Sequence, residues 1–187
     1  MRVGSLEFKP VQENPMLVSD SVLKALSSDF GVLVAEIDPQ YMNGLSLSEH
    51  YGLNPDDGAN CIIVRGERDG VKVMAAVVAP VGHRSDLNGV VCQKLYVKKV
   101  SMAPLEEILK ETGMEYGSIT PIGLPGTYKI LIDNRLMQKE WIIVGGGKQI
   151  SKLLVSTDVF RKLPNVEVVE GLATQHSGSR LSQKASS

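Results

Sequence analysis

The sequence contains little of what marks the most easily recognised classes of protein. Its 187 residues include two cysteines, Cys61 and Cys92, and neither belongs to a C-x-x-C pair, so we expect no disulfide framework and no thiolate metal site. No apolar run approaches the roughly 20 residues that a membrane-spanning helix needs. The first 15 residues also lack the apolar core of a signal peptide. These absences favour a cytoplasmic protein.

An excess of positive charge is also missing. Lys and Arg total 20 against 21 Asp and Glu, which gives a formal net charge of −1. A protein whose main task is to grip a phosphate backbone is usually basic. We therefore expect no extensive contact with nucleic acid, although this charge is compatible with contact at the end of an RNA.

Several catalytic signatures are absent as well. Residues 145–151, GGGKQIS, fail the phosphate-loop pattern, which needs Gly at position 142 and Ser or Thr after Lys148. We interpret this segment as a Gly-rich turn after a buried strand. The histidines, His50, His83 and His176, have no second ligand at metal spacing. No G-x-S-x-G motif is present, so the sequence shows no standard nucleophile.

Apolar periodicity predicts a mixture of strands and helices. Predicted strands cover residues 31–38, 60–66, 71–80, 97–102, 128–133 and 141–147. Predicted helices begin near residue 19, cover 46–53, begin near 85, and cover 103–113 and 156–164. Strands and helices do not alternate strictly, which indicates one α+β (mixed α/β) domain over residues 16–172. Residues 1–15 are predicted to form an N-terminal arm, and 173–187 a disordered tail.

One stretch of unusual backbone stands out. Residues 112–126, TGMEYGSITPIGLPG, contain four glycines and two prolines, and we call this segment the Gly/Pro loop. Gly permits positive φ and close approach of backbone, whereas Pro fixes φ and removes a donor. The pattern therefore predicts a loop held in one shape, whose bare amides suit an oxygen-rich ligand.

The Gly/Pro loop resembles the signature of the YbaK/prolyl-tRNA-synthetase-associated domain family, TG-x-x-x-GG-[IV]-[ST]-P-[LIF]-G. The matching positions are Gly113, Gly117, Thr120, Pro121 and Gly123. Ser118 stands where the family has the second Gly of its pair. Three other segments are similar to the family in order and spacing: CIIVRG…VKVMAAVVAPVG, RSDLNGVVCQKLYVKKVSMAPLEEILKETG and WIIVGGGKQISKLLVSTDVFRKL.

This resemblance implies aminoacyl-tRNA editing. A trans-acting deacylase would hydrolyse the ester of a mischarged tRNA, here of a small amino acid, with proline tRNA as the candidate carrier. The implied fold is a central mixed, barrel-like sheet surrounded by helices, without metal or cofactor. The implied partners are the acceptor end of an aminoacyl-tRNA and an aminoacyl-tRNA synthetase. Editing is needed because one pocket separates similar small side chains by only about 1–3 kcal/mol.

The resemblance also suggests where the site lies. Ester hydrolysis passes through an oxyanion, which backbone N–H groups can stabilise. The candidate catalytic residues are Asn60, Gly117 and Ser118, and the candidate substrate-binding residues are Cys61, Ile119, Thr120, Pro121, Gly123 and Lys152. A plainer interpretation is that the Gly/Pro loop only closes the barrel.

Two positions depart from the family pattern. The resemblance implies a lysine in the family's deacylases at the position of Asn60. It implies an acidic residue at the position of Lys152. If both side chains face one pocket, the cation has moved across it. Whether the protein is an enzyme is therefore open. The alternative is a non-catalytic module of this fold that binds an aminoacyl-adenosine, an amino acid derivative or a protein partner. A hydrolase of an unrelated ester or amide is a third hypothesis.

Overall fold

The computed structural model describes residues 1–26 and 31–175. The α-helices are α1 (Asp20–Ala25), α2 (Gly44–Tyr51), α3 (Cys92–Leu95), α4 (Leu105–Thr112) and α5 (Thr157–Lys162), and a π-helix (Leu87–Val91) leads into α3. Short 3-10 turns cover Val11–Glu13, Pro15–Leu17, Pro39–Tyr41, Pro55–Asp57 and Leu136–Gln138. In the described ranges, no helix combines the length and the apolar character needed to cross a membrane.

The strands are short at both ends of the chain and long in the middle. They are β1 (Arg2–Val3), β2 (Leu6–Glu7), β3 (Lys9–Pro10), β4 (Leu33–Glu36), β5 (Ala59–Arg68), β6 (Val71–Pro80), β7 (His83–Ser85), β8 (Val100–Met102), β9 (Lys129–Asp133), β10 (Trp141–Gly145), β11 (Ser151–Ser156), β12 (Val166–Val169) and β13 (Ala173–Gln175).

Two sheets form the centre of the molecule. One has the order β10-β11-β4-β3 and is antiparallel, and the other has the order β12-β9-β6-β5-β8, with β9 parallel to both β6 and β12. A parallel bridge between Gly58 and Ile143 joins them at one seam. The described residues do not close a barrel, but the mixed sheets and surrounding helices confirm the predicted α+β class.

The central strands are buried on both faces, which explains their nearly continuous apolar sequences. Alternate residues of a strand point to opposite faces. Ile63 of β5 and Ala76 of β6 therefore enter the main core, which residues of both sheets share. Their neighbours Val64 and Val77 enter a second cluster, with residues of α3 and the π-helix.

The N-terminal residues pack against the body of the protein. Phe8 is 1 % exposed, and it joins Leu47 of α2 and Ile143 of β10 in a third apolar cluster. The amide of Val11 donates to the carbonyl of Val32 at 3.2 Å. The predicted arm, residues 1–15, is therefore continuous with the domain in its packing, because Phe8 and Val11 bury apolar surface there.

The C-terminal end differs in part from the sequence prediction. The disordered tail was expected to begin at residue 173, but Ala173–Gln175 form β13 and pair with β7. The buried carboxylate of Asp133 accepts a hydrogen bond from the amide of Ala173 at 3.1 Å, which holds this strand in place. Residues 176–187, including His176, lie outside the described residues.

Secondary structure is predicted most accurately where turn residues flank an apolar run on both sides. The hairpin of β5 and β6 forms as expected, and Ser156 caps α5 by accepting from the amide of Asp158. Several strands were not predicted, among them β11, which directly follows the Gly-rich turn, and β12, which runs parallel to β9.

The Gly/Pro loop packs tightly against neighbouring backbone. Gly123 has a φ of +85°, and a Cβ at this position would lie 2.5 Å from the carbonyl oxygen of Ser21 in α1. At the end of β10, a Cβ on Gly145 would lie 2.4 Å from the carbonyl oxygen of Ser118. Because Gly123 and Gly145 have no side chain, the backbone of the loop can contact α1 and β10 directly.

The contact with α1 gives a test of this packing. Gly123→Ala should lower the free energy of unfolding by about 2–4 kcal/mol, because the added methyl group meets the backbone of α1 and an L side chain disfavours positive φ. Urea unfolding followed by circular dichroism measures this loss.

A matched control lies three residues further along the same loop. A Cβ on Gly126 would meet no atom within 4 Å, so Gly126→Ala should leave stability within about 1 kcal/mol of the wild type, on the stabilising side. Equal losses for the two variants would contradict the importance of the contact with α1.

Candidate functional site

A cleft of about 370 Å³ opens where the starts of β5 and β11 meet the end of β10. The connection from β8 to α4, the Gly/Pro loop and the residues before α2 complete its wall. Most of this wall is apolar. Its polar side chains are Asn43, Asn60, Lys152, the thiol of Cys61 and the phenol of Tyr116.

Lys152 is the cation of this wall. The ladder of β11 places it beside Gly145 of β10 and Ala35 of β4, and the residue is only 7 % exposed. Within residues 1–26 and 31–175, no Asp or Glu lines the cleft, and Nζ of Lys152 has no hydrogen-bond or ion-pair partner. Burial lowers the pKa of Lys152 to about 8, because the charged form leaves water without gaining a counter-ion.

The Gly/Pro loop brings a backbone amide to the same cleft. Gly117 has a φ of +76° and lies in a turn that is closed by the amide of Ser118, which donates to the carbonyl of Glu115 at 3.1 Å. In the described part of the chain the N–H of Gly117 has no acceptor. A Cβ on Gly117 would lie 2.8 Å from Sδ of Met42, so a glycine lets the loop reach the opposite edge of the cleft entrance.

The Gly-rich turn between β10 and β11 holds this loop in position. The amide of Gly147 donates to the carbonyl of Ser118 at 2.8 Å, and the amide of Glu115 donates to the carbonyl of Gly147 at 2.9 Å. The amide of Gln149 also donates to the carboxylate of Glu115 at 2.7 Å. These bonds agree with the expected loop of fixed shape, and they explain why the segment 145–151 is a turn rather than a phosphate cradle.

Asn60 lies at the start of β5, beside the N-terminus of α2. A Cβ on Gly44 would lie 3.3 Å from Oδ1 of Asn60. Asn43 caps α2 by accepting a hydrogen bond from the amide of Leu45 at 3.1 Å. The partial positive charge of a helix N-terminus adds to that of Lys152, so the cleft favours a ligand with negative charge.

Cys61 also lines the cleft, but its environment makes it a poor nucleophile. Burial raises the pKa of the thiol well above its usual range. The thiolate is the reactive form of cysteine, so a protonated Cys61 contributes shape and apolar surface rather than covalent chemistry.

The structure brings part of the predicted set to the cleft. The residues that line it are Asn60, Cys61, Gly117, Ile119 and Lys152. The others, Ser118, Thr120, Pro121 and Gly123, lie behind the wall.

The residues behind the wall have other contacts. The amide of Ser118, which we expected to be free for a ligand, is already bonded to the carbonyl of Glu115. The hydroxyls of Ser118 and Thr120 are buried without a hydrogen-bond partner among the described residues. Gly123 contacts α1. Of the two amides predicted to stabilise an oxyanion, those of Gly117 and Ser118, only the amide of Gly117 has no acceptor among the described residues.

Sequence reasoning missed several residues of the wall. Asn43 and Gly44 precede a helical pattern, and an Asn in that place is a typical N-cap, which could have drawn attention to the helix end. Tyr116 stands directly before Gly117 in the Gly/Pro loop. In the described ranges, no three His, Cys, Asp or Glu side chains lie together as metal ligands.

Comparison with known proteins identifies a family. A family model described as the aminoacyl-tRNA editing domain matches residues 40–163, which is more than half of the chain and includes all the predicted site residues.

Solved structures share the fold at low sequence identity. A proposed trans-editing enzyme for prolyl-tRNA synthetase is 18 % identical with a TM-score of 0.69, and the match covers 82 % of this chain and 97 % of that one. A hypothetical protein, APE2540, is 19 % identical with a TM-score of 0.64, and the match covers 75 % of this chain and 90 % of that one. A proposed signal transduction protein from Marinobacter aquaeolei VT8 is 16 % identical with a TM-score of 0.56, and the match covers 84 % of this chain and 31 % of that one.

Lys152 has a consequence for stability that can be measured. Lys152→Met should raise the free energy of unfolding at pH 7 by about 1–3 kcal/mol, because Met keeps the volume and removes a buried charge that has no partner. The folded state binds the proton of Lys152 more weakly than the unfolded state. The wild type therefore gains stability as the pH rises from about 8 towards 10, and its difference from the variant shrinks there.

Urea unfolding at pH 7 and pH 10 measures this difference, and Lys110→Met is the control. Lys110 is exposed on α4, so its substitution should change stability by less than about 0.5 kcal/mol at either pH. A Lys152→Met variant that is less stable than the wild type at pH 7 would show that the charge is compensated in the folded state.

Proposed function

The chain belongs to the aminoacyl-tRNA editing domain family, and on that premise we propose that it is a trans-acting deacylase of mischarged tRNA. The observation that carries this proposal is the buried Lys152, which lines one cleft together with Asn60 and Gly117; among the described residues, neither Nζ of Lys152 nor the amide of Gly117 has a hydrogen-bond partner. A neutral ester gives such a cation little to bind, whereas the oxyanion formed during hydrolysis supplies the missing negative charge.

The proposed chemistry is attack of water on the ester carbonyl. The C–O bond to the terminal ribose then breaks, and the ribose hydroxyl leaves with a proton. Lys152 and the amide of Gly117 stabilise the negative charge on the carbonyl oxygen, and Asn60 holds the ester by hydrogen bonds. Because the lysine's attraction is stronger in the transition state than in the ground state, it accelerates the chemical step.

The family and the proposed chemistry support a choice of substrate. We propose that the acceptor end of a tRNA enters the cleft with a small amino acid, and that proline tRNA is the first carrier to test. One solved structure of the same fold is a proposed trans-editing enzyme for prolyl-tRNA synthetase. This likeness supports proline tRNA as the carrier and an aminoacyl-tRNA synthetase as a second partner.

The second candidate function is a binding module without hydrolysis. What favours it is the composition of the cleft wall: among the described residues, no His, Asp or Glu lines the cleft to act as a general base. In that case the Lys152 cation would hold an anionic or carbonyl group of a bound aminoacyl-adenosine. Hydrolysis assays separate the two functions.

Single-turnover deacylation of alanyl-, cysteinyl- and seryl-proline tRNA is the test. We expect hydrolysis of one ester above background, a fall of about 100-fold for Lys152→Met, and a fall of about 10-fold for Asn60→Ala. Lys110→Met should retain the wild-type rate. A folded protein that hydrolyses none of these esters, nor other small aminoacyl esters, would favour the binding module.

The pH dependence gives a separate check on the role of Lys152. The ratio of catalysed to uncatalysed rate should fall as the pH rises through about 8, because the cation loses its proton there. The much slower Lys152→Met variant should show no such fall. A wild-type ratio that stays constant from pH 7 to pH 9 would contradict a charged Lys152 in the transition state.

A further inference from the structure

The entrance of the cleft carries exposed apolar side chains. Tyr116 is 63 % exposed, Met102 53 % and Leu105 46 %, and all three line the cleft. Leu109, one turn further along α4, is 51 % exposed. A cluster of exposed large apolar side chains next to a pocket indicates a contact surface rather than a chance arrangement.

Tyr116 projects from backbone that is held on both sides. Its carbonyl accepts a hydrogen bond from Nε2 of Gln149 at 3.0 Å, and the carboxylate of the preceding Glu115 accepts one from the amide of Gln149 at 2.7 Å. The aromatic contacts in the described ranges involve Tyr41, His50 and Tyr51, and Tyr116 takes part in none of them. The protein thus fixes the backbone of Tyr116 and leaves its side chain largely exposed, without an aromatic partner among the described residues.

We propose that Tyr116 stacks on the unpaired 3′-terminal nucleobase of the tRNA whose ester occupies the cleft, with Met102 and Leu105 as the apolar border of that base. This inference rests on the proposed function. The alcohol of the ester is the terminal ribose, so the base lies one sugar away from the group that Lys152 contacts. Proteins bind unpaired bases by stacking them on aromatic side chains.

The charge of the chain supports this occupant. A net charge of −1 leaves little general attraction for a phosphate backbone. Affinity for the acceptor end must then come from contacts to the terminal nucleoside itself. A flat, unpartnered ring at the cleft entrance supplies such a contact, and because stacking tolerates any base, it positions the ester without reading the tRNA sequence.

Two probes test the inference. Both are acceptor-stem microhelices with alanine linked to the 3′ end by an amide, which resists hydrolysis, and they differ only in whether the terminal ribose carries adenine or no base. Dissociation constants are measured for the full-length wild type, Tyr116→Ala and Tyr116→Phe. Tyr96→Asn is the control, because Tyr96 is 74 % exposed outside the cleft wall and its φ of +55° is one that Asn accepts.

The wild type should bind the adenine probe about 5- to 150-fold more tightly than the abasic probe, the range expected for one stacked base. Tyr116→Ala should bind both probes with the affinity of the wild type for the abasic one. Tyr116→Phe and Tyr96→Asn should keep the wild-type preference. Together these variants form a double-mutant cycle between ring and base.

The outcomes that contradict the inference also separate it from the proposed function. Equal wild-type affinity for both probes, or a preference that survives in Tyr116→Ala, would overturn the stacking role and leave the deacylase standing. Equal affinity would assign the apolar entrance to a protein partner such as a synthetase. A folded wild type that binds neither probe would overturn both the stacking and the proposed function.

Discussion

The site depends on the backbone hydrogen bonds between the Gly/Pro loop and the Gly-rich turn that joins β10 to β11. Gly147 donates to the carbonyl of Ser118 and accepts from the amide of Glu115, so two segments about thirty residues apart form one rigid unit. The same turn sets the register that pairs Gly145 with Lys152. One set of bonds therefore connects the segment that carries the amide of Gly117 to the turn that precedes Lys152.

Lys152 has no partner within residues 1–26 and 31–175, and this is informative because another buried charge of the chain does have partners. The carboxylate of Asp133 is fully buried, yet it accepts hydrogen bonds from Arg135 at 2.8 and 2.6 Å and from the amide of Ala173. Burial opposes ionisation of Asp133, but the bonds from Arg135 outweigh it and hold the pKa below the usual range. The charge of Asp133 is thus compensated by hydrogen bonds from other residues of the folded chain. Lys152 has no such partner among the described residues and should lower stability instead, which is the pattern expected when the counter-charge arrives with a ligand or a transition state.

The sequence predicted the class of fold and the elements with clear boundaries. The Asp69–Gly70 turn defined the central hairpin, and Gly52 and Gly113 correctly marked the ends of α2 and α4. It did not predict β11, because Lys152 interrupts the apolar run and the strand leads directly into α5. The site was predicted only in part for a related reason. A motif names consecutive residues, but tertiary hydrogen bonds decide which amides are free, so Gly117 faces the cleft while Ser118 is used by its own turn.

The composition of the cleft wall limits how hydrolysis can proceed. In the described ranges no carboxylate or imidazole lines it, and burial keeps the thiol of Cys61 protonated. If the protein is a deacylase, the side chains of this wall that can transfer a proton are Lys152 and the phenol of Tyr116, and the leaving ribose with its neighbouring hydroxyl offers a further route for the proton. An aminoacyl ester is already activated towards water, so electrostatic stabilisation of the oxyanion can be the main contribution of the protein. The resemblance implies a lysine at position 60 in the family's deacylases, and if Lys152 takes its role here, a cation stabilises the same oxygen from another side of the cleft.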